Sequence, residues 1–195
     1  MELSEIYQKE ICTVLGDFSP KISFEIFPPK NGNISELFEE LRILKRYNPV
    51  LVSLTYGASG GLSRFSYEDL KSIRDLEFNL MPHFTCVSML KDEIEKHIIS
   101  VENLGIENIL ALRGDIPDYM SSSDLDFSHA NELVEFIQAK TTLSIGVAGY
   151  PEGHIESKNL KDDIKYLKKK LNQVQALYSL NYFLIMINSI VILKP

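Results

Sequence analysis

The chain has 195 residues, a net charge of −7, 45% apolar residues and 24% charged residues. That length suits one globular domain with a real core, and the composition is ordinary for a soluble protein. The acidic balance, with no Lys/Arg stripe interleaved with aromatics, argues against nucleic acid as the main partner.

Two cysteines, Cys12 and Cys86, fit no metal or redox spacing and read as free buried thiols in a reducing cytosol. The N-terminal run MELSEIYQKEI has no apolar h-region, so no secretory signal is expected and a cytoplasmic location is.

Apolar β-type runs alternate with helix-type runs along the chain. The first strand is predicted over 22–27, ISFEIF, closed by Pro28-Pro29. Ile34, Leu37, Leu41 and Leu44 recur at helical spacing and predict a helix over 33–47, with Asn33 or Ser35 as cap. VLVSLTY at 50–56 is the second strand, followed by the loop GASGG. A short helix at 66–75 starts from Ser66. Strand three is 79–86, and a helix at 90–103 stops at Gly105. Strand four is 108–114; a polar loop leads to a helix at 128–138. Strand five is 143–150, and a charged helix covers 160–171.

Five strand–helix units in strict alternation imply an α/β fold with a parallel sheet, whose strands must be apolar on both faces. No Gly-x-Gly-x-x-Gly follows the first strand, which argues against a dinucleotide-binding Rossmann start. The pattern fits a β/α (TIM) barrel that is incomplete, with about five of the usual eight units.

Reactive groups of such barrels sit at the C-terminal strand ends. Read in order, those ends carry Glu25; Thr55, Tyr56 and Ala58; His83 and Thr85; Arg113, Gly114 and Asp115; then Tyr150, Glu152 and His154. Glu25 interrupts an apolar run, and a buried carboxylate is costly unless paired. It reads as a general acid, as a structural carboxylate paired inside the barrel, or as a residue that strand alternation turns to solvent. Arg113-Gly114-Asp115 could serve a flavin pyrophosphate and ring, or form a plain Arg–Asp pair in a βα turn. His83 is either a satisfied core histidine or a ligand. Tyr56 and Tyr150 are either packing aromatics or stacking platforms. Gly57, Gly60 and Gly61 serve the turn. The lysines at 168–170 form a solvated helix face or meet phosphate.

Together, SFEIFPPK at 23–30, LVSLTYGASGG at 51–61, MPHFTC at 81–86, ILALRGD at 109–115 and VAGYPEGH at 147–154 resemble the methylenetetrahydrofolate reductases, in that family's order and spacing. The resemblance implies a β/α barrel that holds FAD, takes hydride from NAD(P)H and converts methylenetetrahydrofolate to methyltetrahydrofolate. It implies that Glu25 is the general acid that helps open the folate's methylene bridge, and that Thr55 lies near the nicotinamide. By the same resemblance Tyr56, Ala58, His83, Arg113, Gly114, Ala130, Tyr150, His154, Asp163, Lys169 and Lys170 line FAD. Asp115 sits by the flavin ring and the folate. Ser157 and Tyr166 fall at further FAD positions but differ from the family's residues. The resemblance also implies a homo-oligomer for the full-length protein, no metal and no membrane partner.

The resemblance ends at Leu171. The partial barrel is therefore assigned to 1–171, and 172–195 reads as an aberrant apolar tail. Charge vanishes from that tail until Lys194. Its length is near that of a membrane span, but Gln175, Asn181 and Asn188 interrupt it. A divergent core segment is a second reading, and a shifted reading frame a third. Joining the last base of each codon to the first two of the next, from Leu171 onward, permits E-S-G-A-S-F-I-F-T-Q-L-F-F-D-N-D. That restores the family's Gly-Ala turn, Thr-Gln strand and Phe-Phe-Asp-Asn. Met186 has a single codon, and with Ile187 after it the shifted frame must read Asp. The frame reading is the one expected here, and in it the family's folate-binding glutamine of strand six is lost from the translated frame.

Overall fold

A computed structural model describes residues 22–29, 33–55, 65–87, 89–115, 126–127, 129–149, 159–162, 164–165 and 178–180. Its strands are β1 (Ser23–Ile26), β2 (Leu51–Leu54), β3 (Leu80–Thr85), β4 (Asn108–Leu112), β5 (Ser144–Gly149) and β6 (Tyr178–Leu180). Its helices are α1 (Ile34–Leu44), α2 (Tyr67–Arg74), α3 (Lys91–Asn103) and α4 (Ala130–Gln138). Residues 160–162 and 164–165, within the fifth predicted helix, are also helical.

The strands pair in sequence order, β1 to β6, and every pairing is parallel. This monotonic order has no reversal point of the doubly wound kind and is the order of a β/α barrel wall. It agrees with the fold class predicted above. β6 is an addition: it lies inside the tail expected to be aberrant, yet Tyr178, Ser179 and Leu180 align with Val147, Ala148 and Gly149 of β5.

Local chemistry explains the element boundaries. Asn33 caps α1 by accepting from the Ser35 N–H at 3.2 Å, while its amide donates to Glu36 at 2.8 Å. Ser66 caps α2 with a reciprocal box: its hydroxyl accepts from the Asp69 N–H, and Asp69 accepts from the Ser66 N–H. α3 and α4 use half of that device, with Glu93 and Glu132 accepting from the N–H groups of Leu90 and His129. Gly105, at φ +72°, ends α3 as the sequence predicts. The first helix is shorter than predicted: it tightens to a 3-10 turn at Lys45–Tyr47, and Asn48 in the left-handed region (φ 47°) ends it.

Successive residues of a strand face opposite sides, and the burial pattern sorts them. Ile26, Val52, Leu54, Leu80, Phe84, Ile109, Ala111, Ile145 and Val147 join Leu41, Ile73, Ile94, Ile98, Leu133 and Ile137 of the helices in one apolar layer. The other face of the sheet carries a smaller cluster of Leu51, Met81 and Leu110. The residues that alternate with the helix-facing ones therefore define an inner face. It runs from apolar Leu51, Met81 and Leu110 to polar groups nearer the C-terminal strand ends.

Candidate active site

The inner face places Glu25 on β1, Ser53 and Thr55 on and after β2, and His83 and Thr85 on β3. Register puts Glu25 opposite Ser53, and Leu54 opposite Pro82, so Thr55 and His83 follow one step beyond. The Thr55 hydroxyl donates to Glu25 Oε1 at 2.8 Å. The Thr55 N–H donates to the Ile26 carbonyl at 2.9 Å, which extends the β1–β2 ladder and fixes where that hydroxyl sits. His83 Nε2 stands 3.9 Å from the same Glu25 oxygen, with side-chain exposures of 7% for His83 and 13% for Glu25. That separation is too long for a hydrogen bond. Among the described residues His83 Nε2 is the buried side-chain polar atom with no partner. Burial holds the His83 imidazole below its ordinary value of 6.5, against the upward pull of the Glu25 carboxylate, so it is neutral at pH 7.

A second group lies across β3. The chain leaves β4 through Arg113, Gly114 and Asp115, and the Arg113 carbonyl accepts from the Val87 N–H at 2.9 Å. Gly114 takes φ +86°, and a Cβ there would lie 2.5 Å from Val87 Cγ1 and 3.2 Å from Thr85 Cβ. Only glycine fits, so the backbone of this turn lies flat on the end of β3. Arg113 and Gly114 are half-buried and Asp115 is exposed. Cys86 is buried between these elements, its Sγ 3.6 Å from the Arg113 carbonyl. Burial pushes its thiol up to about 11, so it stays protonated at neutral pH. Ala130 is the first residue of α4 and is half-buried.

Of the residues singled out from the sequence, the structure thus brings Glu25, Thr55 and His83 into one cluster. It sets Arg113, Gly114 and Asp115 at the neighbouring strand end. Tyr56, Ala58, Tyr150, His154, Asp163, Lys169 and Lys170 lie outside the described residues. Ser53, buried beside Glu25 in the register, was not singled out by the sequence; its period-two spacing to Thr55 is the signal that finds it.

A cavity of about 490 Å³ opens at the opposite end of the sheet. Its lining, including Arg74, Asp75, Phe78, Asn79, Gly105 and Glu107, comes from the turns that precede β3 and β4. None of the strand-end polar groups reaches it, and it is not the candidate site. Among the described residues no helix is long and apolar enough to cross a membrane.

Comparison with known proteins decides the family. The profile of the methylenetetrahydrofolate reductases matches residues 12–184. The chain belongs to the methylenetetrahydrofolate reductase family. It is 37% identical over 172 residues to the 5,10-methylenetetrahydrofolate reductase of Buchnera aphidicola subsp. Schizaphis graminum, covering 86% of this chain and 58% of that protein. It is 33% identical over 153 residues to the Escherichia coli K12 enzyme, covering 77% and 51%. To Methylenetetrahydrofolate reductase (NADH) 1 of Arabidopsis thaliana it is 34% identical over 188 residues, covering 85% and 32%. The chain thus spans about half the length of its bacterial reductase relatives. Among solved structures, the 4-hydroxy-tetrahydrodipicolinate synthase of Methylacidiphilum fumariolicum SolV superposes with a TM-score of 0.52 at 15% identity, covering 80% of this chain and 52% of that one. At that identity the likeness shows the β/α-barrel fold alone. The family match reaches 13 residues beyond Leu171 (184 − 171), so the likeness does not end at Leu171 as expected from the sequence but takes in β6.

Proposed function

We propose that this chain carries the acid-bearing half of a 5,10-methylenetetrahydrofolate reductase, in which FAD mediates hydride transfer from NAD(P)H to the folate. The observation that supports it most is the Glu25–Thr55–His83 cluster at the C-terminal end of the sheet in a chain of this family.

The residues present fit a flavin. His83 Nε2 is a buried polar atom without a protein partner among the described residues, which a ligand polar group would satisfy. The turn sets half-buried Gly114, without a side chain, beside half-buried Arg113, a pairing suited to a pyrophosphate. By family resemblance Tyr56, Ala58, Tyr150, His154, Asp163, Lys169 and Lys170 complete the cofactor site, with Ala130 at the start of α4. Bound there, FAD supplies the hydride relay between NAD(P)H and the folate carbon.

The chain's own part is positional and protonic. Glu25 is mostly withdrawn from water, so its proton exchanges with a bound substrate in preference to bulk solvent. It donates that proton to the folate nitrogen whose release opens the one-carbon bridge. Neutral His83 adds no competing positive charge beside the carboxyl. By family resemblance Asp115, exposed at the rim, would contact the folate and the flavin ring.

The tail carries a second proposal: one base has been lost near the Leu171 codon, and 172–195 is translated out of frame. In the shifted reading Ile-Phe-Thr-Gln falls on the codons of residues 178–181, the position at which the chain adds β6. Purification tests the first proposal. A yellow protein that oxidises NADH with menadione supports a reductase; a chain that binds FAD without turnover supports a flavin-binding fragment; a colourless one contradicts the flavin site. Partition into detergent only while 172–195 are present would instead mark the tail as an anchor.

A further inference from the structure

Glu25 Oε1 is crowded and committed. It accepts from the Thr55 hydroxyl at 2.8 Å, and His83 Nε2 stands 3.9 Å away on the same oxygen. No comparable contact engages Oε2 among the described residues. Thr55 itself is anchored by its N–H to the Ile26 carbonyl at 2.9 Å, so its Cα cannot drift from β1.

A hydroxyl that donates to one carboxyl oxygen makes that oxygen the acceptor in both protonation states. Placing the acid proton on Oε1 would reverse this bond, with Thr55 Oγ1 turned to accept, and would hold that proton on the threonine instead of freeing it for a substrate. We propose that Thr55 is a positioning residue for Glu25: its hydroxyl fixes Oε1 as the accepting oxygen, holds the carboxyl off His83 and leaves Oε2 to carry and deliver the proton. This rests on the reductase reading for the use of that proton, but the positioning is a property of the chain itself. It gives Thr55 a task distinct from the nicotinamide contact that family resemblance assigns to it.

The arrangement also explains why a carboxylate and an imidazole stand 3.9 Å apart in a buried site without bonding. A carboxylate has lone pairs enough for both donors, so the effect is one of position: the bond to Thr55 draws Oε1 toward β2 and leaves it short of His83. Glu25 is the charged neighbour of His83 among the described residues. The inner-face residues of the adjoining strands, Ser53, Thr55, Leu110 and Leu112, are uncharged.

The test is an imidazole nitrogen-15 NMR titration of His83 in the ligand-free chain and in Thr55→Val, Thr55→Ala and Thr55→Ser. Removing the hydroxyl leaves Glu25 Oε1 without its donor, so the carboxylate closes onto His83 Nε2. The expected result is an upward shift of the His83 midpoint and a hydrogen-bonded Nε2 signal in both Val and Ala variants, with Ser restoring the parent values. An unmoved His83 in Val and Ala overturns the proposal, and so does a Ser variant that behaves like Val, because then the methyl group and not the hydroxyl sets the geometry. Adding Glu25→Gln must abolish the Val-induced shift; a shift that persists also overturns it. Absence of reductase activity with this NMR pattern intact would count against the proposed function and not against the positioning.

Discussion

Gly114→Ala should be far more damaging than Gly105→Ala, although both glycines have positive φ. At Gly105, φ +72°, the new methyl meets the Arg74 guanidinium at 3.2 Å, the far end of a flexible side chain that can swing away. The cost there is the left-handed conformation alone, about 1 kcal/mol. At Gly114, φ +86°, the methyl lands 2.5 Å from Val87 Cγ1 and 3.2 Å from Thr85 Cβ. Val87 is buried and its N–H is bonded to the Arg113 carbonyl, so it cannot yield without breaking the strand-end contact. Overpacking of this kind adds about 1–3 kcal/mol to the conformational cost, for about 2–4 kcal/mol in all. Urea unfolding of both variants, compared at constant m, measures the difference. Val87→Ala in the Gly114→Ala background should recover the overpacking part. If the two glycine variants agree within about 0.5 kcal/mol, the turn does not lie against β3 as described.

Acidification should destabilise the chain through His83. Its folded value lies below the ordinary 6.5, so the unfolded state binds the extra proton first; its contribution is full above 6.5 and is lost as pH falls toward the folded value. His83→Gln should flatten that part of the stability–pH curve, and an unchanged slope would remove His83 from the account. Cys86, buried with its thiol raised to about 11, should resist a thiol reagent at pH 8 in the native chain and react on unfolding; prompt native labelling would contradict its burial. Ser66→Ala should cost about 1 kcal/mol by removing the cap of α2, read from urea midpoints. Sequencing the DNA around the Leu171 codon should show that one added base restores Thr-Gln and Phe-Phe-Asp-Asn downstream; a codon series that cannot encode them sinks the frame reading.

Elements governed by local chemistry were legible in the sequence. Ser66 and Gly105 mark helix ends because capping and positive φ are decided within a few residues. Glu25 stood out because it breaks an apolar strand. What it touches was not legible: Thr55 is 30 residues away, and only the β1–β2 register brings the hydroxyl to the carboxylate. The orphaned His83 Nε2 was hidden for the same reason, since its satisfaction depends on three strands. The Asn108 amide, which donates to Asn79 Oδ1 at 3.0 Å in the interior, likewise gave no sequence signal. β6 was missed because the tail's composition pointed away from a folded segment, whereas three residues suffice to extend a parallel edge.

Half-reaction kinetics of Glu25→Gln isolate the acid step, in protein translated with the frame restored after Leu171 and loaded with FAD. NADH should still reduce the flavin, while reoxidation by methylenetetrahydrofolate should slow by about 10²–10⁴-fold. Equal reoxidation rates with and without the substitution would contradict the role of Glu25 as the acid.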